Sequence, residues 1–190
     1  MSNDTEPVIP QQDKLDLPVK AIEQSYKWDC GPTALRTALK YQFGLKLTAN
    51  DMILLTGATE GGSDEFNLMK ALDILGFKYK QTNAGTYNHL KASLQEGQPP
   101  IVHCVMEDGG GHYMVFCGYD EEKQTVRLAD PGKGKVVTYG TPFFLGIWKV
   151  EEKETQTKWF ISITGHVGDR FDSMIQTIKR IQKKVRNSRK

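Results

Sequence analysis

The chain has 190 residues, 38% of them apolar, with a mean hydropathy of −0.48, values ordinary for a globular protein with one core. No run approaches the ~20 apolar residues of a membrane-spanning helix, and the polar, acid-bearing start MSNDTEPVIPQQDKLD is not a secretory signal. The net charge of +2 hides an asymmetry: Lys179 to Lys190 hold seven Lys or Arg and no acid, leaving 18 basic against 23 acidic side chains, a net of −5, on residues 1–178.

In chain order, residues 1–16 read as a flexible arm that becomes ordered near Leu17. Asp29 is placed to cap a helix starting at Cys30, with Pro32 in the first turn, where its missing N–H costs nothing. Leu35, Ala38, Leu39 and Phe43 recur at helical spacing up to Gly44, a stop. Further helices are expected over Asn50–Thr56, Asp64–Leu75 and Thr86–Glu96. Strand-like runs follow: Pro100–Met106, Tyr113–Tyr119, Thr125–Ala129, Lys135–Tyr139 and Lys158–Ile163, rich in β-branched or aromatic residues and separated by turns. Helices first and antiparallel strands second is an α+β arrangement, and without repeats or low-complexity linkers one domain is the economical reading.

Three cysteines, Cys30, Cys104 and Cys117, cannot make an even disulfide framework, so a reduced, cytoplasmic compartment is the simpler inference. No pair has zinc-ligand spacing, and neither metal nor cofactor is expected. Cys30 stands out because unpaired N–H groups and the aligned dipole at a helix N-terminus stabilise a thiolate. Gly31 behind it lets a substrate backbone approach. The competing reading is a buried core cysteine, the usual fate of a lone Cys, and it suits Cys104 and Cys117 inside apolar strands.

Among the histidines, His89 opens a helix, His103 lies within a strand run and His166 is near the tail. His112 follows Gly109-Gly110-Gly111 and opens a strand; a flexible loop that happens to end in His is the plain alternative. A hairpin turning around Glu121–Gln124 brings His112 and Asp130 together at its open end, with a shared face depending on register. Asp130 could orient the imidazole or, before Pro131, serve as a turn former. Gln24, six residues before Cys30, could donate to an oxyanion together with the Cys30 N–H.

Together these stretches resemble a known family. Gln24-Ser-Tyr-Lys-Trp-Asp29-Cys30-Gly31-Pro32-Thr-Ala-Leu is similar to the nucleophile motif of the C39-like peptidases, the papain-superfamily group that includes double-glycine leader peptidases. Gly110-Gly111-His112-Tyr-Met-Val-Phe-Cys-Gly118-Tyr119 and Leu128-Ala129-Asp130-Pro131 resemble its histidine and aspartate blocks. GGSDEFNLMKALDILGF and LQEGQPPIV resemble the segments between. The likeness runs from about Leu17 to Trp159. It implies a papain-like fold, a peptidase domain over residues 17–165, Cys30 as nucleophile, His112 as base, Asp130 as orienting acid and Gln24 in the oxyanion hole. A peptide or protein substrate is implied, with cleavage after small residues such as Gly-Gly. Well-known members are the N-terminal domains of peptide exporters, whereas this sequence contains no membrane segment and no ATPase.

Residues 166–190 form a basic tail in which Phe171, Met174, Ile178, Ile181 and Val185 make an apolar stripe at helical spacing. Such a helix suits packing on the body, a partner protein or an anionic surface; no aromatic platform for nucleic acid accompanies it. Two other functions use the same residues or fold: an amide-acyl transferase, in which an amine replaces water, and a non-catalytic docking module.

Overall fold

The computed structural model describes residues 12–152 and 155–166, together with Gln176, Arg180 and Lys183 of the tail. Its elements are β1 (Lys14–Asp16), α1 (Cys30–Phe43), α2 (Ala49–Thr56), α3 (Glu65–Leu75), β2 (Phe77–Thr82), α4 (Tyr87–Gln95), β3 (Ile101–Val105), β4 (Gly111–Asp120), β5 (Thr125–Asp130), β6 (Lys135–Gly140), α5 (Thr141–Ile147), β7 (Val150–Glu152), β8 (Thr155–Thr157) and β9 (Phe160–His166). The expected α+β class, helices on an antiparallel sheet, is the class observed.

Local chemistry explains most of the boundaries. Thr48 and Thr86 accept from the backbone at the third helical position of α2 and α4, and Asp51 and His89 reach back to the cap amides. Asp64 does the same for α3 by accepting from Asn67 N. Gly44 ends α1 in the left-handed conformation at φ 65. Asp29 departs from expectation: it stands at the N-cap of α1, but its side chain makes no cap hydrogen bond.

The main sheet runs β2-β9-β3-β4-β5-β6 and is antiparallel throughout. Alternation along the central strands divides the apolar residues between its two faces. Ile101, Tyr113, Val115, Cys117 and Ala129 pack with Leu35 and Leu39 of α1, Met52 of α2 and Leu68 and Leu72 of α3. Val102, Cys104, Met114, Phe116 and Leu128 pack with Leu90 and Leu94 of α4 and Phe144 of α5. The sheet is therefore covered on both faces.

Four elements beyond β1 were not anticipated. β2, whose sequence FKYKQT alternates only weakly, is an edge strand on β9. α5 is a short helix with Pro142 in its first turn. β7 and β8 form a separate small hairpin. The chain also joins the sheet earlier than Leu17: β1 pairs with Gly118–Asp120 of β4, and Arg127 makes an ion pair with Asp16. The amphipathic tail helix lies outside the described residues apart from Gln176, Arg180 and Lys183, which are helical and exposed. No helix among the described residues is long and apolar enough to cross a membrane.

Candidate active site

Cys30 is the first residue of α1, a helix anchored by the buried Leu35 and Leu39 on the side of Tyr113 and Val115. No acidic side chain occupies the first turn, so the positive end of the helix faces the thiol uncompensated. A Cβ on Gly31 would lie 2.5 Å from Ser63 Oγ and 3.2 Å from the Tyr113 ring; glycine there lets the loop before α3 and β4 close on the neighbour of Cys30.

His112 is near the start of β4, paired across β3 with Cys104. Asp130 ends β5. A bulge between Phe116 and Gly118 sets the register so that Val115 opposes Ala129 and Phe116 opposes Leu128. Carried one residue further, this register sets Asp130 level with Met114, on the same side of the sheet as His112. The carboxylate oxygen Oδ1 lies 2.7 Å from His112 Nε2 and also accepts from Gly132 N at 2.8 Å. Lys133 Nζ stands 4.0 Å from Oδ2. With Nε2 on Asp130, Nδ1 is the nitrogen left to face Cys30, with which the imidazole is hydrogen-bonded.

The electrostatics follow from this packing. Burial pushes the Cys30 thiol up, but the hydrogen bond from His112, the Tyr113 backbone N–H, the imidazolium charge and the Gly31 N–H outweigh it, and the thiol lies below its ordinary value. Burial pushes His112 down, yet hydrogen bonds to Asp130 and Cys30 and the charges of both raise it to about 9. Asp130, pushed up by burial, is brought below the usual carboxylate range chiefly by His112. The three shifts point the same way, each favouring the charged form of its group: thiolate, imidazolium and carboxylate.

Gln24 lies on the loop before α1. Its backbone N–H donates to the Pro131 carbonyl at 2.9 Å, tying this loop to the residue after Asp130. Its side-chain Nε2 donates to the Tyr26 carbonyl at 2.7 Å, so one amide hydrogen is engaged within the loop and the other is not used by that bond. Tyr26 and Trp28 of the same loop stack at 5.0 Å.

Several residues fall elsewhere. Cys104 and Cys117 are buried and burial raises both thiols, Cys117 to about 12. His89 serves the cap of α4. His103, taken only as a strand residue, lies 2.6 Å from Glu65 Oε1 and stacks on Tyr113 at 4.3 Å between ring centres. The hydrogen bond from His103 lowers Glu65. Nothing in the local pattern of α3 or β3 announces this pair, because it forms between segments 38 residues apart. Among the described residues no cluster of three or more His, Cys, Asp or Glu could hold a metal ion.

A helix presenting a cysteine at its N-terminus to a histidine on an antiparallel sheet defines the papain-like class of fold. Solved structures share it. The peptidase domain of Streptococcus ComA, a bifunctional ABC transporter involved in quorum sensing, superposes with a TM-score of 0.62 at 21% identity, covering 78% of this chain and 99% of that domain. A double-glycine-motif protease from an AMS/PCAT transporter, solved with its leader peptide, gives 0.57 at 17% identity over 79% and 94%. Xylellain, a cysteine protease from Xylella fastidiosa, gives 0.59 at 12% identity over 82% and 87%. An uncharacterised protein from Methanothermobacter thermautotrophicus is 28% identical over 115 residues, 60% of this chain and 73% of its own length. The model of the Peptidase C39 family matches residues 18–150, and the chain belongs to that family. Family and fold together support cysteine peptidase activity in general terms.

Proposed function

We propose that this protein is a cysteine peptidase that hydrolyses peptide bonds with Cys30, His112 and Asp130 as its triad and Gln24 as an oxyanion donor. The observation that carries the reading is the continuous chain from Cys30 through His112 to Asp130, closed by the 2.7 Å contact between Nε2 and Oδ1. In this mechanism the Cys30 thiolate adds to the carbonyl carbon of the scissile amide. The resulting oxyanion takes hydrogen bonds from the Cys30 N–H and the free amide hydrogen of Gln24. The imidazolium gives its Nδ1 proton to the leaving amine, the C–N bond breaks, and a thioester remains. His112, now neutral, takes a proton from water as it attacks the thioester, and collapse expels the thiolate.

Cleavage after small residues is part of the proposal, supported by the tight closure of Ser63 and Tyr113 on Gly31 and by the double-glycine motif protease among the similar structures. The domain division with a peptidase unit at 17–165 and a cytoplasmic setting belong to the same reading; free, reactive Cys30 suits a reducing compartment. The test is cleavage of a peptide library containing Gly-Gly sites by wild type and Cys30→Ala. Cleavage after small residues that disappears in Cys30→Ala supports the proposal. Wild-type protein that cleaves nothing, while Cys30 alkylates no faster than Cys104, overturns it.

A further inference from the structure

We propose that Asp29 is a positioning residue for the oxyanion site: its carboxylate folds the loop that presents the Gln24 side-chain amide to the substrate carbonyl. The inference rests on the acyl-transfer reading of the site.

Asp29 is 0% exposed, and a carboxylate removed from water needs donors. It finds them behind it. Oδ1 accepts from Tyr26 N at 3.0 Å and Oδ2 from Ser25 N at 3.3 Å, while the orphan amides of α1 receive nothing from it. These bonds fix the two peptide groups following Gln24. The Tyr26 carbonyl, on the residue so held, then accepts twice, from Asp29 N at 3.3 Å and from Gln24 Nε2 at 2.7 Å. Asp29 thus orients the Tyr26 unit, and that unit clamps one hydrogen of the Gln24 amide. The second amide hydrogen is left with its direction fixed, and Gln24 Oε1 is buried without a hydrogen-bond partner. At its other end the loop is tied by Gln24 N to the Pro131 carbonyl. An alanine at 29 would remove the two acceptors and release the clamp, with Cys30 and His112 still held by α1 and β4.

The backward turn has a second effect. A capping carboxylate would sit beside the nucleophile and oppose its negative charge. Turned into the loop, the same charge is spent on Ser25 and Tyr26 instead.

The experiment compares two reactions of Cys30 that differ in their need for an oxyanion site. Acylation by acetyl-Gly-Gly p-nitrophenyl ester, followed as the single-turnover burst of p-nitrophenolate, passes through a tetrahedral oxyanion. Alkylation by iodoacetamide displaces iodide and does not. Asp29→Ala and Gln24→Ala should each slow acylation by about 10- to 100-fold and leave alkylation within about 2-fold of wild type. The double variant should be no slower than the slower single variant, because both remove one unit. Asp29→Asn, which keeps one acceptor oxygen, should fall between wild type and Asp29→Ala, and it serves for the same cycle should Asp29→Ala not fold. Equal loss of acylation and alkylation marks a merely structural role and overturns the inference. So do unchanged acylation, or losses that multiply in the double variant. Wild-type protein that gives no burst overturns the peptidase reading itself, and the inference with it.

Discussion

His112 and Asp130 meet because β4 carries one more residue than the strand opposite it. The bulge at Cys117 moves the pairing by one position, so Asp130 falls level with Met114 instead of Val115. An unbulged ladder would send the carboxylate to the other face of the sheet. Replacing Asp130 by Ala should therefore release His112 from its raised value of about 9, shifting its titration downward by NMR. Turnover should drop by about 100- to 10,000-fold. An unchanged His112 titration would refute the pairing as the source of the shift.

The opposed shifts of Cys30 and His112 define a window for the ion pair. It opens above the lowered thiol value and closes as His112 loses its proton near pH 9. Alkylation of wild-type Cys30 should already be fast below the ordinary thiol value, where a free thiol is mostly protonated. In His112→Ala the rate should rise with pH as an ordinary thiol ionises. Matching pH profiles for the two proteins would mean that no pair forms.

The same groups link stability to pH with opposite signs. His112 is raised, so its contribution is complete below about 6.5 and is lost as pH rises through about 9. Cys30 is lowered, so its contribution is present above the ordinary thiol value and is lost as pH falls through the lowered one. The slopes offset each other between those limits in wild type. Cys30→Ser keeps only the part of the histidine's rise that Asp130 causes and should lose thermal stability as pH climbs above about 6.5, over a window that ends below 9. Melting curves that run parallel for the two proteins would contradict this.

A steric prediction concerns the other core. A Cβ on Gly85 would meet the Lys158 carbonyl oxygen at 2.5 Å, Trp148 at 2.8 Å and Phe160 at 2.9 Å. Since the nearest atom is backbone, Gly85→Ala should cost about 1–3 kcal/mol in denaturant unfolding. Gly31→Ala meets a serine hydroxyl that can rotate and should cost less; the reverse order would count against the packing described.

What the sequence conveyed follows the range of the forces. The stops at Gly44, Gly57 and Gly76 and the caps at Asp64 and Thr86 act within a few residues, and the helices they bound were legible to within a residue or two. The hairpin of β4 and β5 was legible too, so the nearness of His112 and Asp130 could be inferred from strand ends. The bulge that decides their shared face was not, because Cys117 and Gly118 read as ordinary strand residues. β2 escaped because FKYKQT lacks a continuous apolar face, and its strand character comes from β9, more than 70 residues later. Asp29 misled for a related reason. Its type and position favour a cap, and only the folded loop offers it better donors.

The place of β9 bears on when this protein could first act. It enters the sheet between β2 and β3, although it is the last strand of the described chain. On a ribosome, every residue of the site would be made and exposed while that interior slot stood open. β3, the neighbour of the histidine strand, would have one bare edge until Phe160–His166 emerged. A sheet closed from the inside by its final strand completes the pairing of β3 only after Cys30, His112 and Asp130 have all been synthesised.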